Sequence, residues 1–262
     1  MSVVPSQRLD GAVALVTGAN GGIGRAICAA LRDSGARLVA TDLTDAPRDL
    51  TVDLWLRHDV TSPGDWKGVI ADVCTRFGRL DCLINNAGVS MVQSIADTSV
   101  EQWRRVLNVN VESILLGLQA SLAALRQSGS ERTGGSSIVN VSSTASVRGI
   151  PFHSAYCASK GAVTLLTKSA AKEFAMLGYP IRVNSVHPGT VETPMMETIL
   201  HRYVETGMLS SVDQARTFFN ARNPLGRMAR PEEIAGSVIY LCSPAASFVT
   251  GSELFVDGAG TA

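Results

Sequence analysis

The sequence predicts an α/β fold in which a parallel sheet carries helices on both faces. Three observations lead to this prediction. Short apolar runs rich in β-branched residues alternate with longer segments of helical pattern along the chain. Several of the short runs are apolar nearly throughout, which is typical of strands covered on both faces. No linker, repeat or low-complexity tract interrupts the pattern, so we expect a single domain over residues 1–262.

Seven short segments have the composition of strands. They lie at residues 13–17, 37–41, 56–60, 82–85, 137–141, 181–186 and 253–256, and the third is the weakest. Helical segments fit between them, and the first, IGRAICAALRDSG, ends at Gly35. Only sixteen residues separate Asp42 from Asp59, and they include Pro47. This crossover is therefore expected to be a loop or a single turn instead of a full helix.

The composition excludes several classes of protein. Lys+Arg and Asp+Glu are both 23 and no basic block stands out, which argues against a nucleic-acid partner. No apolar run reaches about 18 residues, so no membrane span is expected. The longest, ILLGLQASLAAL at 114–125, is interpreted as a buried or interface helix. Residues 1–12 lack the features of a secretory signal peptide, and we expect a cytoplasmic protein.

The cysteines and histidines show no metal-site or disulfide pattern. Five widely spaced cysteines without a CxxC pair predict free, buried thiols in a reducing compartment. The four histidines are scattered, and no cluster has the spacing of metal ligands. We therefore expect no metal site.

A glycine-rich loop, TGANGGIG at 17–24, follows the first predicted strand and opens the first helix. Glycines let the backbone turn sharply and approach a ligand closely, and a helix N-terminus attracts phosphate. Such a loop is a weak signal by itself and a much stronger one between a strand and a helix. We interpret it as nucleotide-binding. The predicted contact residues are Gly18, Asn20, Gly21, Gly22, Ile23 and Gly24.

Asp42 ends the second predicted strand, eighteen residues after Gly24. A carboxylate at this place accepts hydrogen bonds from both hydroxyls of an adenosine ribose, and it repels a 2′-phosphate. The loop also carries no Arg or Lys before Gly24. Both observations favour NAD over NADP. The alternative interpretation of Asp42 is an ordinary helix cap or loop acid.

The stretch SAYCASKGA at 154–162 places Tyr156 and Lys160 four residues apart among small side chains. Such a pair occurs by chance on many helices. The spacing also puts a phenol and an ammonium on one helical face, where the ammonium would lower the pKa of the phenol. A free phenol has a pKa of about 10 and is a poor base at neutral pH. The pair therefore predicts a tuned acid/base for the hydroxyl proton of an alcohol.

Ordered motifs along almost the whole chain resemble the short-chain dehydrogenase/reductase family. Beyond the glycine loop they are DV at 59–60, NNAG at 85–88, Asn110 within NVNV, SS at 142–143, YCASK at 156–160 and PGTVETPM at 188–195. The tail PLGRMARPEEIAGSVIYLCSP…GSELFVDGAG is also similar. The resemblance implies a doubly wound Rossmann fold with a seven-stranded sheet, a nicotinamide cofactor and a homotetramer.

The resemblance also implies roles for individual residues. Tyr156 is the expected acid/base and Lys160 its partner, while Asn110 anchors a water-linked proton path. Ser143 is expected to hold the substrate oxygen, because the family's serine lies thirteen residues before its tyrosine. Besides the glycine loop and Asp42, the implied cofactor contacts are Asp59 and Val60 at the adenine, Asn86, Ala87, Gly88, Tyr156, Lys160, Pro188 and Gly189, and Val191 and Thr193 at the nicotinamide.

The substrate end of the site is predicted to be apolar. Residues 194–223 would form a lid, and residues 150–153 would line the opposite wall. The predicted substrate contacts are Ser143, Ile150, His153, Tyr156, Met195, Met196 and Leu200. Such a pocket suits an apolar secondary alcohol or ketone, including a cyclic or steroid-like one. The alternative is that the lid helices pack their apolar faces on their own domain.

Three functions remain open at this point. The first is an NAD-dependent dehydrogenase for a secondary alcohol or hydroxysteroid. The second is a 3-oxoacyl carrier-protein reductase, against which Asp42 argues because biosynthetic reductases usually draw on NADPH. The third is a nucleotide sensor or scaffold that keeps the fold without turnover. The intact set of Ser143, Tyr156 and Lys160 argues against this third function.

Overall fold

The computed structural model describes residues 6–262, so residues 1–5 of the predicted domain lie outside the described residues. The strands are β1 Val13–Thr17, β2 Arg37–Asp42, β3 Leu54–Arg57, β4 Cys82–Asn85, β5 Ser136–Val141, β6 Ile181–Pro188 and β7 Glu253–Val256. The helices are α1 Gly22–Asp33, α2 Pro63–Phe77, α3 Val100–Leu107, α4 Ser113–Ser130, α5 Ser154–Met176, α6 Pro194–Glu205, α7 Val212–Ala221 and α8 Pro231–Cys242.

The seven strands form one sheet in the order β3-β2-β1-β4-β5-β6-β7, and every neighbouring pair is parallel. The chain therefore winds in one direction from β1 to β3 and in the other from β4 to β7. This is the doubly wound arrangement that the resemblance implies. The predicted fold class, an α/β sheet with helices on both faces, is confirmed.

Helices cover both faces of the sheet, as the apolar strands predict. In β1, Ala14 and Val16 pack in a core layer with Ile27 of α1 and Val238 of α8. Leu15, the residue between them, belongs to the opposite layer. That second layer contains Trp66 of α2, Leu118 of α4 and Val163 of α5. Because alternate strand residues point to opposite faces, a strand must be apolar throughout to fill both layers.

The predicted strand bounds agree with the structure except at the third strand. β1, β4 and β7 have the predicted bounds, and β2, β5 and β6 are one or two residues longer. β3 occupies Leu54–Arg57, two to three residues before the predicted 56–60. The chain leaves the sheet early because the Asp59 carboxylate accepts hydrogen bonds from the Thr61 N–H and hydroxyl and turns the chain toward α2. The crossover from Asp42 to β3 has no helix, as predicted.

Residues 100–130 form one continuous helical run, in which a π-helical segment, Asn108–Glu112, joins α3 to α4. By length and composition alone this run is sufficient to cross a membrane. Its inner face, however, carries Ile114, Leu118 and Leu125, which are buried in the core beneath the sheet. The helix therefore packs as the buried helix that the sequence predicts for residues 114–125.

The five cysteines are free thiols, and Cys28, Cys82 and Cys242 are buried as predicted. Cys74 is exposed on α2 and Cys157 is only half-buried on α5, so the expectation of burial is wrong at Cys74 and only partly met at Cys157. Within residues 6–262, no group of His, Cys, Asp or Glu side chains has an arrangement that would hold a metal ion.

Candidate active site

A cleft of about 740 Å³ opens at the carboxyl ends of the central strands. It lies where the strand order changes direction between β1 and β4, the usual ligand position in open parallel sheets. The glycine loop lines one end of this cleft, and side chains of α6 and α7 line the other. Most of the residues predicted from separate motifs are brought together here.

The glycine loop forms a tight turn that only glycine accommodates at two positions. Gly18 has φ of +62°, in the left-handed region. A Cβ at Gly24 would lie 2.2 Å from the Gly18 carbonyl oxygen and 2.8 Å from Asn86 Nδ2. The helix that follows, α1, has no side-chain cap and no acid in its first turn, so its first N–H groups are free to bind an anion.

Gly24→Ala is expected to weaken NADH binding by at least about tenfold, equal to about 1.4 kcal/mol. The added methyl group would force the Gly18 carbonyl and the Asn86 amide apart and displace the loop. Binding is measured by quenching of tryptophan fluorescence. The control is Gly236→Ala in α8, where a Cβ meets no atom within 4 Å. Wild-type affinity in Gly24→Ala would contradict the proposed fit of the loop.

The Asp42 carboxylate lies beside the glycine loop. Its Oδ2 accepts a hydrogen bond of 3.0 Å from the backbone N–H of Asn20, and its Oδ1 lies 3.4 Å from the Thr44 N–H and hydroxyl. The residue remains partly exposed and lines the cleft. The alternative interpretation of Asp42 as a loop acid therefore holds, and its carboxylate lies at the end of the cleft that the glycine loop lines.

Ser143, Tyr156 and Lys160 line the cleft together. Ser143 lies just beyond β5, and Tyr156 and Lys160 lie in the first turns of α5. Lys160 Nζ donates a 2.8 Å hydrogen bond to the Val141 carbonyl and lies 5.7 Å from the centre of the Tyr156 ring. The Ser143 hydroxyl oxygen accepts from the Ala145 N–H at 3.1 Å, which leaves its proton free to be donated.

Asn110 is buried behind this group and does not line the cleft. Its Oδ1 accepts from the Val89 N–H at 2.8 Å. Its Nδ2 donates to the Val89 carbonyl at 2.9 Å and to the Ser159 hydroxyl at 3.0 Å. The side chain thus links the segment after β4 to α5, and its contacts are those of a positioning residue.

The other predicted residues line the cleft with two exceptions. Asp59 turns its carboxylate to Thr61, and the neighbouring His58 lines the cleft together with Val60. Leu200 is fully buried in the core of the lid with Met196, Ala215 and Met228. The alternative interpretation of the lid therefore holds at Leu200, while Ile150, His153, Met195 and Met196 do line the cleft.

Comparisons with known proteins give the family. A family model described as enoyl-(acyl carrier protein) reductase matches residues 18–261. The chain is 38% identical over 258 residues to the 3-beta-hydroxysteroid dehydrogenase of Comamonas testosteroni, with 96% of each chain covered. It is 38% identical over 264 residues to the cyclopentanol dehydrogenase of Comamonas sp. (strain NCIMB 9872), with 97% of this chain and 99% of the relative covered.

The chain belongs to the short-chain dehydrogenase/reductase family. A further relative is the NADP-dependent (R)-specific alcohol dehydrogenase of Lentilactobacillus kefiri, 34% identical with 98% of this chain and 99% of the relative covered. The solved structure of a short-chain type dehydrogenase/reductase from Mycobacterium marinum matches with a TM-score of 0.86 at 33% identity, covering 97% of both chains. Members use nicotinamide cofactors, and this short-chain dehydrogenase/reductase is an oxidoreductase.

The cleft of this short-chain dehydrogenase/reductase fits a polar cofactor. Among the described residues, five buried side-chain polar atoms have no hydrogen-bond partner. Three of them, His58 Nε2, Ser90 Oγ and Arg148 Nε, belong to residues that line the cleft. Because buried polar groups are normally paired, their position indicates that the cleft is built to receive hydrogen-bonding groups. The glycine loop, the free α1 N-terminus and Asp42 are the residues that would supply the remaining contacts of a dinucleotide.

The predicted lowering of the Tyr156 pKa is not found in the protein alone. Burial raises the pKa of Tyr156, and the nearby Ser143 hydroxyl offsets only part of that rise. Burial also lowers the pKa of Lys160 to about 8. Lys160 does not counter the rise in the Tyr156 pKa, because its Nζ donates to the Val141 carbonyl instead of the phenol. In the protein alone the phenol is therefore protonated at neutral pH.

Several polar residues of the cleft were not among the predicted site residues, and three of them have long side chains. Arg148 and Arg222 line the substrate end, and Tyr203 projects from α6. Arg148 Nη1 donates to the Gly260 carbonyl at 2.7 Å, which joins the wall to the C-terminal segment. Arg148 could have been identified from the sequence, because it lies between Ser143 and Tyr156. Arg222 and Tyr203 lie in the lid, which was predicted to give the pocket an apolar character.

Proposed function

We propose that this protein is an NAD-dependent oxidoreductase that interconverts a secondary alcohol and a ketone on an apolar, cyclic or steroid-like substrate. The proposal rests on one observation: Ser143, Tyr156 and Lys160 line the same cleft as the glycine loop. The relatives that are named as hydroxysteroid and cyclopentanol dehydrogenases support the substrate class.

The proton chemistry belongs to Tyr156 and Ser143. When bound, the nicotinamide supplies the hydride acceptor for alcohol oxidation and the hydride donor for ketone reduction. The protonated Tyr156 hydroxyl gives its proton to the ketone oxygen in reduction. In oxidation the deprotonated Tyr156 phenolate takes the proton of the substrate hydroxyl. The Ser143 hydroxyl donates to the same oxygen and orients it. The Lys160 ammonium, with a pKa of about 8, keeps a positive charge behind the phenol at neutral pH.

The substrate wall is largely apolar. The side chains that surround the reacting end include Ile150, Phe152, Met195, Met196, Ile199, Met208, Leu209, Phe218 and Phe219. Such a wall binds a hydrocarbon skeleton through burial of apolar surface. The two lid helices α6 and α7 share their own small core, which holds this wall in place.

Asp42 supports NAD as the cofactor, because a carboxylate at this position would repel a 2′-phosphate. Asp42→Ala is expected to narrow the NADH-to-NADPH affinity ratio by about tenfold or more, since a charge-assisted pair with the ribose and a repulsion are both lost. Dissociation constants measured by fluorescence give this ratio without turnover. The control is Asp72→Ala, an exposed carboxylate on α2. An unchanged ratio in Asp42→Ala would mean that another residue discriminates between the cofactors.

The test of the proposed function is NADH absorbance with NAD or NADP across secondary alcohols graded from short-chain to cyclic, aryl and steroidal. NAD-dependent turnover that rises with apolar bulk supports the proposal. Turnover only with NADP, or only in reverse on acyl thioesters, would favour a 3-oxoacyl carrier-protein reductase. Tight NADH binding with no turnover on any alcohol or ketone would favour a sensor or scaffold.

A further inference from the structure

His153 is a buried histidine with a defined tautomer at the substrate end of the cleft. Its side chain is 5% exposed, and Nδ1 lies 2.9 Å from the Pro151 carbonyl oxygen. A carbonyl oxygen only accepts hydrogen bonds, so Nδ1 carries the proton. Burial lowers the pKa of His153, and the ring is therefore neutral at neutral pH. Nε2 is left as a lone-pair acceptor.

The backbone holds this ring firmly. The preceding residue, Phe152, has φ of +64°, which is unusual for a bulky side chain. Its carbonyl accepts a 2.8 Å hydrogen bond from the Gln93 N–H, and the His153 carbonyl accepts one of 2.8 Å from the Cys157 N–H. Strained backbone that is held by surrounding contacts is common at ligand sites.

Tyr203 presents a second unpaired polar atom beside His153. The rings of His153 and Tyr203 are 6.1 Å apart, centre to centre, and both residues line the cleft. Within residues 6–262, the hydrogen bonds of Tyr203 are all made by its backbone. His153 Nε2 likewise has no partner in the described part of the chain. The pair thus offers one acceptor and one hydroxyl donor to a ligand.

A hydroxyl group satisfies this pair, because it can donate to Nε2 and accept from the Tyr203 hydroxyl. A ketone oxygen has no proton for Nε2, and a carboxylate would be repelled by its lone pair. A hydrocarbon would bury both polar atoms without partners, which is unfavourable. The centre of the His153 ring lies 6.4 Å from the centre of the Tyr156 ring, so the pair lies beside the proposed acid/base in the same cleft.

We propose that His153 and Tyr203 form a recognition site for a second hydroxyl group on the substrate. The preferred substrates are then cyclic diols and hydroxyketones, in preference to alcohols with an apolar group at the same ring position. This inference rests on the proposed function and narrows its substrate class. The apolar wall contacts the ring skeleton, while His153 and Tyr203 form hydrogen bonds with the second hydroxyl group.

The test compares cyclohexanediols with methylcyclohexanols of the same substitution pattern, in which a methyl group replaces the second hydroxyl. For at least one positional isomer, the wild-type protein is expected to have a kcat/KM at least about tenfold higher on the diol. Tyr203→Phe removes only the hydroxyl. His153→Asn keeps a donor near Pro151 and removes Nε2, the acceptor on the far side of the imidazole ring. Both variants are expected to lower this preference by about tenfold, mainly through KM of the diol.

Tyr179→Phe is the matched control, because Tyr179 packs on Phe174 away from the cleft and its variant should keep the wild-type preference. Nitrogen NMR of the imidazole adds a readout without turnover, since His153 is expected as the Nδ1–H tautomer with an Nε2 resonance that moves on diol binding. Turnover of methylcyclohexanols without preference for any diol overturns the inference and leaves the proposed function standing. An unchanged preference in both variants also overturns the inference. No turnover on either series overturns the inference, and the proposed function is overturned as well if the graded panel of secondary alcohols and ketones also gives none.

Discussion

Tyr156→Phe is expected to lower kcat by between about a hundredfold and ten-thousandfold, the range for loss of a general acid/base. The phenylalanine ring keeps the shape of the site but has no proton to give to or take from the substrate oxygen. NADH affinity should stay close to that of the wild type, because the cofactor contacts of the glycine loop and Asp42 remain. Steady-state kinetics and fluorescence titration measure the two quantities separately.

The control for this variant is Tyr240→Phe on α8, which makes the same chemical change outside the cleft. It should retain wild-type kcat. If Tyr156→Phe kept more than about a tenth of wild-type kcat, proton transfer would not run through this residue and the mechanism would be wrong.

Lys160→Met is expected to abolish most turnover and, at neutral pH, to stabilise the fold. Burial lowers the pKa of Lys160 from 10.5 to about 8, which corresponds to roughly 3 kcal/mol of destabilisation by the buried ammonium. The folded state holds this proton less tightly than the unfolded state does. The penalty is therefore full below about pH 8 and disappears as the pH rises toward 10.5. Loss of the hydrogen bond to Val141 reduces the net gain.

Urea unfolding at pH 7 and pH 10 measures this difference. The gain of Lys160→Met over the wild type should be largest at pH 7 and should shrink at pH 10. The control is Lys172→Met, an exposed position on the same helix, for which little change is expected at either pH. A Lys160→Met protein that is less stable than the wild type at pH 7 would show that the buried ammonium does not destabilise the folded state.

These two variants address the expected tuning of the phenol. The spacing of Tyr156 and Lys160 predicts that the ammonium lowers the pKa of the phenol. In the protein alone, burial raises the pKa of Tyr156, and the Ser143 hydroxyl, not Lys160, offsets part of that rise. The residue is thus ready to act as an acid for ketone reduction. Its use as a base depends on further positive charge, which an oxidised nicotinamide supplies when bound.

The sequence by itself determined those features that depend on local chemistry. A strand that fills two core layers must be apolar throughout, so β1 was located to the residue. The bounds of β4 and of the half-buried edge strand β7 were also predicted to the residue. The Asp42–Asp59 segment is too short for a crossover helix, and it has none. The glycine loop was recognised because a turn that has no room for Cβ atoms requires glycines, and these are visible in the sequence.

Only the tertiary structure decided which hydrogen-bond partner a polar side chain takes and which apolar side chains are buried. The Asp59 carboxylate accepts a hydrogen bond from the Thr61 N–H, and Lys160 Nζ donates to the Val141 carbonyl. The sequence offers each side chain several possible partners, and the folded geometry decides which one is within reach. Leu200 became part of the lid core, since a helical pattern does not say which apolar face meets the cleft. His153 and Tyr203 lie fifty residues apart in the sequence, and only the tertiary structure brings their rings to within 6.1 Å of each other, centre to centre.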